Sequence, residues 1–404
     1  MSGPAAGPGS AGVGRGEPVQ RGNVLTRIGA GELGSLRVIV GLAVIWIIFQ
    51  VANDRFLSSV NLSNLMLQIT AVATISIGVV LVLLLGEIDL SVGAVSGLAA
   101  GVMAVLSVKH GLSPWLAILA GLATGALIGA FNGIMVTAFQ VPSFVVTLAG
   151  LLGWQGALLA VLGSTGTINL PPSPITDLTS TFFSVEVGWI LGLATIAAFA
   201  LAAVLKRRAR IGAGLSPGPL AGMIVRLAAT AVAVLAAVAI LNDDRGVPLA
   251  AVIMLVLMAI FTFITERLRF GRHIFAVGGN EEAARRAGIN TKGVKVAVFT
   301  LASTLAAAGG ILAASRLLAV NQDSGGGDLL LLAIAGPVIA GTSLFGGRGF
   351  VFSALLGALV IGSISNGMDL LALESSVKFM VTGAVLLIAV TVDAATRRKR
   401  AASA

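Results

Sequence analysis

The sequence predicts an all-α integral membrane protein, a polytopic helical bundle of about 12 transmembrane helices (10 to 12). Three observations carry this. Of 404 residues, 57% are hydrophobic and only 11% charged, where a soluble chain carries roughly 25% charged residues. The mean hydropathy is +1.02, and the charges cluster, leaving apolar runs close to the ~20 residues that cross a bilayer. Lys and Arg are also unevenly placed between alternate loops, as a membrane topology requires.

Residues 1–34 are rich in Gly, Ala, Pro and Ser and read as a disordered cytoplasmic tail. A cleavable signal peptide does not fit, because the first apolar run begins only near Val38. Spans follow near 37–52, 63–85, 91–108, 115–138, 143–163, 187–205, 224–241, 247–265, 295–315, 329–345, 350–367 and 377–392. Gly309-Gly310 and Gly336-Pro337 interrupt the ninth and tenth. With both termini in the cytoplasm, 21 of the 26 Lys and Arg fall inside. Only Arg55, Lys109, Arg245, Arg316 and Lys378 fall outside. The net charge of +9 therefore records topology and membrane-surface charge, not affinity for nucleic acid. On this reading 35–395 is one transmembrane domain, 266–294 a cytoplasmic loop, and 396–404 a basic cytoplasmic tail. Trp115 and Trp189 open their spans on the outer side as interfacial anchors.

Within the 266–294 loop, Gly278 to Asn290 carries every local signal of a short helix. Asn280 caps the first free N–H groups. Glu281 and Glu282 sit at the positive end, Arg285 and Arg286 at the negative end. Gly288 supplies the left-handed stop. So short a helix is unstable alone, since nucleation costs more than a few bonds return. It must pack, either on its own chain or on an outside partner.

Small residues recur in the spans at intervals of four, as at Gly121, Gly125 and Gly129 and at Gly93, Gly97 and Gly101. Such spacing lets helices approach closely in lipid. Residues 128–135 also echo 361–368 with a one-residue offset, each followed by another apolar span, and internal repeats are common in transporter folds.

Polar residues inside apolar spans are expensive. Glu87 and Asp89, in Gly86-Glu87-Ile88-Asp89-Leu90-Ser91, interrupt an otherwise continuous apolar run. They mark either a capped turn between two spans or a pathway or coupling-ion site. Asn132, Trp154, Gln155 and Asn366 are candidate pathway residues, because an aromatic face and amide edges suit a sugar. Each amide serves equally as an interhelical hydrogen-bonding group. There is no cysteine, and the two histidines, His110 and His273, lie far apart, so no metal site is expected. No G-x-x-x-x-G-K-[ST], H-E-x-x-H or G-x-S-x-G occurs, so neither nucleotide hydrolysis nor these catalytic chemistries are expected of this chain.

Three stretches resemble the permease subunits of bacterial sugar ABC importers, in their ribose/xylose branch. They are Leu83 to Gly93, with Glu87 where the family has Gly; Asn132-Gly133 through Val141 to Leu148; and Gly271-Arg272 through Ile289. The resemblance implies a bacterial inner-membrane protein with no catalysis or cofactor of its own, ATP being bound by a separate ATPase subunit. It implies that Asn280, Glu281, Glu282, Ala283, Arg285 and Gly288 match the coupling helix that docks on that ATPase. It further implies an extracytoplasmic sugar-binding protein and a second permease copy as partners. Residues 165–250 hold two extra spans and the basic linker Lys206 to Pro219, an insertion like that of the xylose-type members. D-xylose or a related pentose is the expected cargo. Branched-chain amino acid permeases share the broader fold and are the alternative. From another class, an ion-driven secondary transporter would use Glu87 and Asp89 and need no partner; a membrane scaffold or receptor would move no solute.

Overall fold

A computed structural model describes residues 34–327, 329–385, 387 and 391. The tails at 1–33 and 396–404 and the end of the twelfth expected span lie outside them. The chain runs through α1 (Gly34–Ala52), α2 (Ser59–Leu84), α3 (Val92–Ala104), α4 (Pro114–Ala138) and α5 (Ser143–Leu162). After strand β1 (Thr167–Asn169) come α6 (Pro174–Ser180), α7 (Val185–Gly212), α8 (Leu220–Asp244) and α9 (Leu249–Arg267). Then follow α10 (Arg269–Gly279), α11 (Glu281–Arg286), α12 (Thr291–Leu317), β2 (Ala319–Asn321), α13 (Leu329–Ile339) and α14 (Ser353–Leu370). Residues 375–385 are helical again.

Among the described residues, nine helices are long and apolar enough to cross a membrane, and Val38–Ala52 and Leu329–Ile339 are shorter apolar helices. The expected tenth span is thus cut short: α13 stops at Ile339, two residues past Pro337, and an irregular segment leads to α14. Pro337 is tolerated inside α13; the helix ends because Gly341 turns left-handed at φ +103°, with its N–H donating to the Val338 carbonyl oxygen at 3.0 Å and the Thr342 N–H to that of Pro337 at 2.9 Å. The ninth is not interrupted. α12 runs unbroken through Gly309 and Gly310 because both glycines serve packing: a Cβ at 309 would lie 2.4 Å from Ile75, and one at 310 would lie 2.1 Å from the Ser96 carbonyl oxygen.

α2 and α12 form the centre. The apolar window of α2 is 89% buried inside the protein, against 11% for α7 and α8, which form a peripheral hairpin whose exposed apolar faces suit lipid. α4 lies along α12 through its glycine row. Cβ atoms at Gly125 and Gly129 would fall 2.5 Å and 2.3 Å from the carbonyl oxygens of Ser303 and Phe299. Small residues allow this backbone-to-backbone approach, which supplies dispersion contacts in place of the hydrophobic effect that lipid removes. β1 and β2 pair antiparallel, Ile168 opposite Val320, and tie the α5–α6 link to the α12–α13 link.

Candidate functional site

α11 forms as its local signals require. The Asn280 side chain accepts the Ala283 N–H at 2.9 Å, and Gly288 closes the helix with φ +83°. Glu282 is ion-paired within the helix to Arg285 (2.6 Å) and Arg286 (2.9 Å). Ala284 is buried against the chain, while the charged face is exposed. The preceding segment, expected as polar loop, is the helix α10, with Gly271, Ile274 and Val277 buried on one side.

α10 meets the bundle backbone to backbone. A Cβ at Gly278 would lie 1.8 Å from the Leu84 carbonyl oxygen, and one at Gly346 would lie 2.5 Å from the Gly278 carbonyl oxygen. The Gly347 N–H donates to that Leu84 oxygen at 3.0 Å. Gly86, Gly346 and Gly347 all adopt positive φ, which a side chain would strain. The end of α2, the end of α10 and the segment before α14 therefore interlock through glycine.

The Gly86 to Ser91 turn sits against this knot. Its Ile88 and Leu90 N–H groups donate to Ser143 Oγ (3.2 Å) and Thr147 Oγ1 (3.0 Å) of α5. Asp89, 4% exposed, accepts both the N–H and the O–H of Ser91 on Oδ1, at 2.8 and 2.6 Å. Asn132 of α4 donates to Ser91 Oγ at 3.1 Å. Burial pushes the Asp89 carboxyl above its ordinary value, outweighing the two Ser91 bonds that act the other way. Ser91 makes no side-chain cap for α3, so the turn is closed by Asp89 instead. Glu87 points elsewhere. Its Oε1 lies 2.7 Å from Lys295 Nζ, and the same Nζ reaches Glu281 Oε2 of α11 at 2.8 Å.

At the other end of α12 a cavity of about 560 Å³ opens between α2, α3, α12, α14 and residues 319–325. Gln68, Ser96, Arg316, Asn321, Asp323 and Ser365 give it polar groups on otherwise apolar helices. Its volume lies in the range of small-molecule sites, roughly 300–1,000 Å³.

The four expected pathway residues each have a different partner. Asn132 joins the Asp89–Ser91 chain on α4. Asn366 pairs reciprocally with Asn61, at 2.8 and 3.0 Å, and so joins α14 to the start of α2. Gln155 donates to the Gln322 carbonyl oxygen at 2.7 Å, beside the cavity's 319–325 edge. Trp154 stands edge-on to Phe131, ring centroids 6.0 Å apart. The polar residues of the cavity wall stand out little in sequence, because they come from separate helices and the link between α12 and α13. Arg316 alone carried a signal, as a charge at the end of an apolar run.

Residues 61–390 match the family described as branched-chain amino acid transport system / permease component. The chain is 37% identical to the xylose transport system permease protein XylH of Haemophilus influenzae over 363 residues, 90% of this chain and 96% of that one. It is 38% identical to XylH of Escherichia coli K12, over 90% and 92% of the two chains. It is 32% identical to the ribose import permease protein RbsC of Bacillus subtilis, over 90% and 94%. No solved structure matches it. Similarity along nearly the whole length, over a bundle of apolar helices, means that the chain belongs to this permease family, in its ribose/xylose branch, as a multi-pass inner-membrane transport subunit rather than an enzyme.

Proposed function

We propose that the chain is the membrane permease of an ATP-binding-cassette importer that carries D-xylose or a related pentose inward. The observation that carries this is near-full-length identity to two xylose permeases, above that to a ribose permease. The cavity is consistent with a polyol cargo: amide, hydroxyl, carboxylate and guanidinium groups are dispersed around its wall, and a sugar's hydroxyls need such groups to replace water.

On this reading both termini and α10–α11 face the cytoplasm, and the cavity faces outward. A separate ATPase subunit docks on α11, at Asn280, Glu281, Glu282, Ala283, Arg285 and Gly288. An extracytoplasmic binding protein delivers the sugar, and two permease copies present one α11 to each of two nucleotide sites. Nucleotide-driven closure of the ATPase pair moves the docked helices, and the interlocked glycine segments pass that motion to α2, α3 and α14.

The test is reconstitution in liposomes with the cognate ATPase and binding protein. Uptake of labelled xylose that requires internal ATP is the expected result. Uptake by the permease alone under an ion gradient would replace this reading with a secondary transporter. Retention of a branched-chain amino acid instead of a pentose by the binding protein would replace the cargo.

A further inference from the structure

We infer that Lys295 is a positioning residue that ties the motion of α11 to the Gly86–Ser91 turn. This rests on the proposed ATPase dock at α11. The ammonium is 2.7 Å from Glu87 and 2.8 Å from Glu281. The Lys295 side chain is 12% exposed and that of Glu87 18%, against 49% for Glu281, so water screens the Glu87 arm little and the Glu281 arm more. An ammonium has three donors and serves both acceptors at once.

The two acids of α11 divide their work. Glu282 is occupied by Arg285 and Arg286 of its own helix. Glu281 reaches off the helix to Lys295, near the start of α12. From Lys295 the connection continues to Glu87, and the turn that carries Glu87 is fastened to α5 through Ser143 and Thr147 and to α4 through Asp89, Ser91 and Asn132. Arg285 and Lys292 also line the hollow around this bridge, with Glu87, Glu281 and Glu282.

The bridge does what the glycine knot cannot. Backbone contact at Gly278 resists approach of α10 to α2 but offers little against separation. An ion pair resists separation. Burial of Ile274 and Val277 holds α10 to the bundle, and Lys295 adds a tie from α11 directly to the turn, so that when α11 is drawn away the inner ends of α3, α4 and α5 follow.

The experiment uses the full importer in liposomes and reads ATP hydrolysed per xylose imported. Lys295→Met is expected to raise that ratio at least threefold in a complex that still retains its ATPase. Lys295→Arg keeps both ion pairs and is expected to hold the ratio near the unaltered value. Glu87→Gln breaks only the turn side of the bridge and is expected to raise the ratio as well. A purely structural role would reduce the amount of complex and leave the ratio alone. An unchanged ratio in Lys295→Met overturns the inference; if that variant does not assemble, an unchanged ratio in Glu87→Gln does so. Failure of the unaltered complex to import xylose at the expense of ATP would instead remove the proposed function, and the inference with it.

Discussion

Asp89 has one carboxylate oxygen bonded twice by Ser91 and the other, Oδ2, buried with no hydrogen-bond partner. Desolvation dominates, so its folded pKa stands above the ordinary value of 3.8. The sign follows directly. As pH rises past 3.8, the unfolded chain releases this proton first while the folded chain keeps it. The folded state then binds more protons, and stability falls with rising pH until the folded carboxyl has also ionised. Asp89→Asn removes the titration. The thermal midpoint of the variant in detergent is expected to gain on the unaltered protein as pH is raised from that value. A constant offset at every pH would mean that Asp89 is ionised in the fold as in the unfolded chain. The Asn61–Asn366 pair is a second single-residue test. Asn366→Leu leaves the Asn61 side-chain Oδ1 without its partner and is expected to cost about 1–3 kcal/mol, read as a lowered midpoint.

At the scale of elements, glycine decides how near the helices stand. Gly129 lets α4 rest on the Phe299 carbonyl of α12, whereas Gly153 on α5 has nothing within 4 Å of a Cβ. Gly129→Val is expected to lower the melting midpoint sharply, since overpacking costs about 1–3 kcal/mol and here the obstacle is backbone. Gly153→Ala is expected to leave it unchanged or slightly raised. Equal effects would refute the packing role of the α4 row. These glycines, and the spans that carry them, could be read from sequence because apolar length and small-residue spacing are local properties. α11 was equally legible, its cap and stop being written within nine residues. α10 was missed although Gly271, Ile274 and Val277 repeat every three residues, because the polar residues between them made the segment look like loop. α13 is shorter than its apolar run because Gly341 ends it, and the Gly336-Pro337 interruption visible in sequence does not mark that stop. The cavity was hidden for a different reason. Gln68, Ser96, Asn321 and Ser365 are ordinary residues in their own helices and links, and only tertiary packing gathers them.

For the whole molecule, the cavity and the α11 platform lie at opposite ends of α12, and the proposed transport direction depends on which end faces the cytoplasm. Gln68→Ala and Arg316→Ala, both in the cavity wall, are expected to lower xylose uptake about tenfold, a loss of ~1.4 kcal/mol in binding, with the amount of protein in the membrane preserved. Their effect would be absent if the cavity were only a packing defect. Orientation itself can be read cleanly, because the chain has no cysteine to remove first. His110, between α3 and α4, and Arg285, on α11, are both exposed. An impermeant thiol reagent applied to intact spheroplasts is expected to label His110→Cys at once, and Arg285→Cys only after permeabilisation. Arg208→Cys, in the basic end of α7, is expected to follow Arg285→Cys, since the alternation of helix directions from α7 to α9 and the bias of Lys and Arg place both on the inner side. The reversed pattern would turn the cavity toward the cytoplasm and the platform away from any nucleotide, and an importer driven from α11 would then be physically impossible. Labelling of Arg285→Cys and Arg208→Cys on different sides would instead mean that the α7–α8 hairpin does not cross the bilayer as two spans.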